Sequence, residues 1–111
     1  MALALNVFRT VTAEFTTVTT NVYTAPVSYT GIVLLAQIAN VTGTSGTVTV
    51  SVTDPTSTTT ELLKDFEVPA NDAVSAVSGK LVIQTGCELK ISASANSKFK
   101  LTLSILESAN E

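Results

Sequence analysis

The stretch "CELKISASANSKFKLTLSILE", residues 87–107, decides the fold class because its apolar residues recur at every second position. These residues are Leu89, Ile91 and Ala93 before a short polar break, and Phe99, Leu101, Leu103 and Ile105 after it. A period of two is typical of a half-buried β-strand, whereas on a helix these residues would scatter around the axis. The pattern predicts two strands joined as an antiparallel hairpin across Ala95–Ser97, with one buried face.

The remainder of the chain repeats this pattern in short runs separated by turn residues. In "TVTVSVT", residues 47–53, the valines alternate with hydroxyl residues. About eight such strands and no convincing helix predict an all-β fold, either an antiparallel β-sandwich or a jelly-roll-like barrel. We expect one domain over residues 1–111, with residues 1–15 as an N-terminal arm or an edge strand. The predicted core consists of Val48, Val50, Val52, Leu89, Ile91, Phe99, Leu101, Leu103 and Ile105.

The run "GIVLLAQIAN", residues 31–40, differs because residues of both parities are mostly apolar. In a two-layer domain one face of a strand packs on the core and the other normally meets water. An apolar second face requires cover, either from the N-terminal arm or from another subunit. The residues predicted to form this interface are Leu3, Leu5, Phe8, Val33 and Leu35.

Composition excludes several classes of protein. The 111 residues are 45% hydrophobic and 14% charged with a net charge of −3, which argues against disorder and against a basic nucleic-acid-binding surface. No apolar run approaches the roughly 20 residues of a membrane span. The opening "MALALNVFRT" lacks the basic leader of a signal peptide, and one cysteine cannot form an internal disulfide. We therefore expect neither nucleic acid nor membrane as a partner.

The residues that usually carry catalysis are few. The chain has no histidine, which removes the usual Ser-His-Asp and Cys-His sites, and Cys87 has no nearby base to activate its thiol. We expect no enzyme activity, no cofactor and no metal site. The acidic residues Asp54, Glu61, Asp65, Glu67 and Asp72 favour a solvated edge over a calcium site, because calcium-loop spacing is missing. Four lysines follow in residues 80–100, so acidic and basic edges of neighbouring copies could orient one another.

Three segments resemble small β-rich virion proteins of tailed bacteriophages, especially those that infect cyanobacteria and other marine bacteria. They are "TNVYTAPVSYTGIVLLAQIANVT" (20–42), "TTTELLKDFEVPANDAVS" (58–75) and "SGKLVIQTGCELKISASANSKFKLTLSILE" (78–107). The resemblance implies a non-enzymatic structural protein of the virion, assembled in the host bacterial cytoplasm. Its implied role is a capsid decoration (cement) protein that stabilises the head lattice as a small oligomer, a trimer.

The resemblance implies that the partners are copies of the chain itself and other virion proteins such as the major capsid protein. A tail, baseplate or fibre component is the alternative within the same class. A host-surface carbohydrate-binding module is a second alternative. It has little support, because the chain has no tryptophan and only Tyr23 and Tyr29 as tyrosines for stacking on a sugar.

Overall fold

The computed structural model describes residues 6–77 and 79–109, which contain nine β-strands and no helix. Accordingly, no helix in this part of the chain could cross a membrane. The strands are β1 (Asn6–Glu14), β2 (Thr20–Thr24), β3 (Tyr29–Asn40), β4 (Gly46–Thr53), β5 (Thr59–Val68), β6 (Ala73–Ser75), β7 (Leu81–Ile83), β8 (Glu88–Ala93) and β9 (Phe99–Ala109).

The strands form two antiparallel sheets that pack face to face. The five-stranded sheet has the order β1-β9-β3-β6, with β7 also paired to β3, and the four-stranded sheet has the order β2-β8-β4-β5. The pairs are nested, since β1 pairs with β9, β2 with β8, β3 with β6 and β7, and β4 with β5. This nesting is the arrangement of a two-sheet jelly roll. The predicted all-β sandwich is confirmed.

The predicted terminal hairpin is wrong. β8 pairs with β2 and β4 in one sheet, whereas β9 pairs with β1 and β3 in the other. Between them the chain crosses from sheet to sheet, and the Asn96 side chain accepts a hydrogen bond from the Thr17 backbone N–H at 2.9 Å. Alternation identifies which face of a strand is buried but not which strand lies beside it. The apolar faces of β8 and β9 therefore meet across the core.

The described part of the N-terminal segment, β1, is an edge strand of the five-stranded sheet and does not lie over its face. β1 pairs with β9 without interruption from Asn6↔Ser108 to Glu14↔Lys100 and forms an edge of the sheet. The expectation that this arm covers the second face of β3 is wrong for its described part, because strand pairing adds β1 in the plane of the sheet. The predicted interface residues Leu3 and Leu5 lie outside the described residues.

The core fills the space between the sheets. Phe15 and Phe99 are both fully buried and make an edge-to-face ring contact with centroids 6.1 Å apart. Of the predicted core residues, the structure buries Val48, Val50, Leu89, Ile91, Phe99, Leu101, Leu103 and Ile105. Val52 is partly buried and packs against this cluster, opposite Leu89 in the pairing of β4 with β8.

Candidate functional site

The outer face of the five-stranded sheet carries a continuous apolar row. Strand register places Phe8 opposite Leu106, Leu106 opposite Ile32, and Ile32 opposite Val82. Residues paired in register project from the same face, so these four side chains cross β1, β9, β3 and β7 in a line. We call them the apolar row. Its two ends are the most exposed, with Phe8 76% and Val82 57% accessible.

A β-bulge in β3 enlarges this apolar surface. The register with β9 shifts between Val33, opposite Ile105, and Leu35, opposite Ser104, so that Leu34 is the extra residue. An extra residue in one strand reverses the alternation beyond it. Leu34 and Leu35 therefore lie together on the outer face, 40% and 39% exposed, beside the apolar row.

The same bulge corrects the predicted interface. The sequence placed Val33 and Leu35 on one face because they are two residues apart, but Val33 is fully buried in the core and Leu35 is exposed. A strand that alternated strictly would carry both on one side, and the inserted residue separates them. Of the predicted interface residues in the described part, Phe8 and Leu35 lie on the outer face and Val33 does not.

Charge is almost absent from this face. Among the described strand positions that project outward from the five-stranded sheet, only Glu14 and Lys100 are charged, and they are cross-strand neighbours at the end remote from the apolar row. The positions between are mainly uncharged and hydroxylated, with Thr10 beside Ser104 and Thr12 beside Thr102. Depletion of charge around an apolar centre is typical of the core of a protein interface.

The four-stranded sheet presents a different surface. Its strands carry six charged residues, all partly or fully exposed: Glu61, Lys64, Asp65, Glu67, Glu88 and Lys90. Its outer side holds a shallow depression of about 400 Å³ lined by hydroxyl and charged side chains, including Thr49, Ser51 and Ser92. The two outer faces of the sandwich therefore differ sharply in polarity.

The idea of separate acidic and basic edges fails for Lys90. It lines the same depression as Glu61 and Asp65, and its Nζ lies 3.4 Å from a carboxylate oxygen of Glu88. The segments that carry these residues are distant in sequence, but β4 lies between β5 and β8 and brings both strands onto one surface. Acidic and basic groups therefore mix on this sheet.

A polar triad of the exposed Arg9 and the buried Tyr23 and Glu107 joins the two sheets. Glu107 is 2% exposed; its Oε1 accepts a hydrogen bond from Arg9 Nε at 2.8 Å and its Oε2 accepts one from the Tyr23 hydroxyl at 2.7 Å. Burial of the ring and its hydrogen bond to Glu107 raise the pKa of Tyr23 well above its ordinary value. The hydrogen bond and negative charge of Glu107 likewise raise the pKa of Arg9.

Gly31 creates the room for this triad. It lies opposite Glu107 in the pairing of β3 with β9, and a β-carbon at this position would be 2.6 Å from the Tyr23 hydroxyl oxygen. Alternation does not predict the triad, although the sequence contains two signals of it. Arg9 and Glu107 each occupy a position that alternation assigns to an apolar side chain.

Within the described ranges no group of three or more histidine, cysteine or acidic residues could hold a metal ion. Asp54 instead organises its own turn, and hydrogen bonds from the Thr56 hydroxyl and the Thr58 backbone N–H lower the pKa of Asp54. Cys87 follows the Gly86 turn, and its backbone N–H donates to the Gln84 carbonyl at 2.9 Å.

The two tyrosines that could stack on a sugar expose little of their rings. The Tyr23 ring is buried in the core and its hydroxyl is engaged by Glu107. Tyr29 is half-buried at the start of β3. A sugar-stacking platform requires a broad exposed aromatic face, which neither Tyr23 nor Tyr29 offers.

Searches against protein-family models and against curated proteins find no match to this sequence. Among solved structures the fold is similar to a chain from Bacillus endospore appendages, described as a novel family of disulfide-linked pili. The TM-score is 0.60 and the identity 13%, over 100% of this chain and 97% of the other. A pentameric capsid protein from metagenomic phage sequences gives a TM-score of 0.46 and 18% identity, over 91% of this chain and 62% of the other. At these identities the likeness concerns the fold.

Proposed function

We propose that the chain is a non-enzymatic structural subunit of a bacteriophage virion, and specifically a capsid decoration protein that acts as a small oligomer. The observation that carries this proposal is the contrast between the two outer faces. The outer face of the five-stranded sheet presents the apolar row and has two charged strand positions, Glu14 and Lys100, whereas Glu61, Lys64, Asp65 and Lys90 line a single depression on the four-stranded sheet.

That contrast fits a subunit that is bound on one side and hydrated on the other. An apolar patch that spans four strands is unfavourable in water and marks a contact with another protein. The charged sheet is well hydrated and suits the surface of a particle in solution. Phe8 is the most exposed member of the apolar row, so it contributes most to the area withdrawn from water on association.

Two further observations support a structural protein that forms assemblies. Three segments that cover most of the chain resemble small virion proteins of tailed phages. The fold is also that of a chain from pili, which are protein assemblies. A jelly roll alone does not define a function.

The single cysteine bears on how such an assembly is held together. A filament in which disulfides link every subunit to two neighbours requires at least two cysteines from each subunit. This sequence supplies Cys87 only. We therefore propose association through packed surfaces, without a continuous chain of disulfides through this sequence.

The test is to locate the chain in intact particles. Virions of the phage that encodes it should be purified, labelled with antibodies against the recombinant chain, and imaged by cryo-electron microscopy. We expect density of this size repeated over the head lattice. Density on the tail axis or at the baseplate would replace decoration by a tail role, and particles without label would overturn the proposal. Empty heads from a virus that lacks the gene provide the matched control.

A further inference from the structure

We infer that the apolar row docks against the same row of a second copy of this chain, across a two-fold axis that runs parallel to the strands. The inference rests on the proposed function for the use of this surface in assembly, and it names the partner that covers the surface. It follows from the order of side chains in the row and from the absence of charge around it.

The row is complementary to itself when it is reversed. A two-fold axis between β9 and β3 exchanges the outer strands, so that Phe8 of one copy faces Val82 of its partner, and Leu106 faces Ile32. The largest exposed side chain of the row therefore meets the smallest, at both ends. Aligned sheets pack about 10 Å apart, a distance that two layers of such side chains fill.

The neighbouring row of outward side chains, two residues further along β1, supports the same two-fold arrangement. Thr10, Ser104 and Leu35 lie in register across β1, β9 and β3. Under the same axis Leu35 of one copy faces Ser104 of the other, so that a small side chain lies opposite a leucine. The bulge places Leu34 next to Leu35, which adds a second apolar side chain at this level.

Charge and area are both compatible with a pair of identical faces. The exposed charges of the outer face, Glu14 and Lys100, are confined to one end, so none has to be buried at the centre of the contact. The 11 residues of β9 extend over about 37 Å, and β1, β9 and β3 abreast span about 14 Å, with the three-residue β6 and β7 in the fourth position. The face thus offers roughly 600 Å², at the lower end of the roughly 600–1,000 Å² per partner of a standard stable interface.

A contact of this kind is isologous and closes after two copies. The expected state in solution is therefore a dimer, in place of the trimer that the sequence resemblance implies. In the dimer both charged four-stranded sheets face outward. The depressions that contain Lys90, Glu61 and Asp65 then lie on opposite sides of the assembly.

Cysteine cross-linking tests the geometry directly. In a Cys87→Ser background, Phe8→Cys and Val82→Cys should be introduced together and treated with a bifunctional thiol reagent of about 5 Å reach, and the products resolved by mass. Facing Cα atoms of sheets about 10 Å apart are too far for a disulfide but within reach of this reagent, whereas within one chain the two positions are three strands apart, about 14 Å between Cα atoms, which is beyond its reach. We expect a covalent dimer from the double variant and no more than background from either single variant. Efficient cross-linking of Phe8→Cys alone would overturn this axis, because it would place the two Phe8 residues together.

Measurement of the oligomeric state tests whether a second copy of this chain is the partner. We expect Phe8→Ser to weaken the dimer by about 100-fold or more, because the two-fold axis removes two buried rings at once. Phe66→Ser is the matched control, since Phe66 is also an exposed phenylalanine but lies on the four-stranded sheet. Mass should be recorded by light scattering and sedimentation over a range of concentrations. A wild-type chain that remains monomeric at millimolar concentration would overturn the inference.

The two proposals fail in different ways. A monomeric chain that still decorates the head lattice would refute the two-fold contact and the small oligomer, and would leave the decoration role intact. A cross-linked dimer whose antibody labels no part of the virion would refute the proposed function and leave the two-fold contact intact.

Discussion

The Tyr23 hydroxyl donates a 2.7 Å hydrogen bond to Glu107 Oε2, and this bond links β2 of the four-stranded sheet to β9 of the five-stranded sheet through the core. Arg9 of β1 binds the other carboxylate oxygen. Three strands are thus joined at one buried acid. Because a buried carboxylate without donors is costly, each member of the triad depends on the others.

We expect stability to decline at alkaline pH because of Tyr23. The pKa of Tyr23 is raised in the folded state, so this contribution is complete below about pH 10, the ordinary tyrosine pKa, and is lost as the pH rises further. The unfolded chain releases the proton there, whereas the folded chain retains it. Thermal melts from about pH 8 to about pH 11 measure the effect.

Two variants isolate that effect. Tyr23→Phe should flatten the alkaline decline and should cost roughly 1–3 kcal/mol at neutral pH, because Glu107 Oε2 loses its donor. Tyr29→Phe should keep the decline. An unchanged pH profile in Tyr23→Phe would show that another group is responsible.

Gly31→Ala should destabilise the protein by roughly 1–3 kcal/mol. The added β-carbon would lie 2.6 Å from the Tyr23 hydroxyl oxygen, so the ring must move and the bond to Glu107 must lengthen. Gly43→Ala is the matched control, since a β-carbon there has no neighbour within 4 Å. Urea denaturation of both variants gives the comparison, and equal midpoints would contradict the steric argument.

Leu103→Ala should cost roughly 2–5 kcal/mol of unfolding free energy, because Leu103 is fully buried between the sheets. Leu106→Ala should cost the isolated subunit much less, since Leu106 projects from the outer face of the same strand. The two leucines project from opposite faces of β9. Chemical denaturation of each variant at low protein concentration measures the difference in unfolding free energy. A small loss for Leu103→Ala would mean that the core tolerates the cavity.

Val33→Ser and Leu35→Ser should have different effects, although the two residues are close in sequence. Val33 is buried, so its substitution should lower the melting temperature of the monomer. Leu35 is exposed next to the apolar row, so its substitution should weaken association and leave the monomer nearly as stable. Calorimetry and light scattering separate these outcomes. Equal melting temperatures would argue against the bulge.

Cys87→Ser should fold and associate as the original chain does. The Cys87 backbone closes the turn through the Gln84 carbonyl, and serine preserves that hydrogen bond. Melting temperature and oligomer mass should both change little. Loss of association with an intact fold would assign a role to the thiol.

The sequence by itself determined the strand content and most of the buried residues. Alternation in residues 47–53 and 87–107 identifies the inward faces of β4, β8 and β9, because successive side chains of any strand project to opposite sides. That rule is local, so it needs no knowledge of neighbouring strands. The pattern predicts about eight strands, and the described residues form nine.

Only the tertiary structure decided which strands are neighbours and which residues share a surface. β8 and β9 look like a hairpin in sequence yet belong to different sheets, since pairing is set by the nested order of the whole chain. The bulge at Leu34 places Val33 in the core and Leu35 outside, which no fixed period predicts. The apolar row joins residues from four separated segments. Its existence depends on strand register, a long-range property that alternation within one strand does not contain.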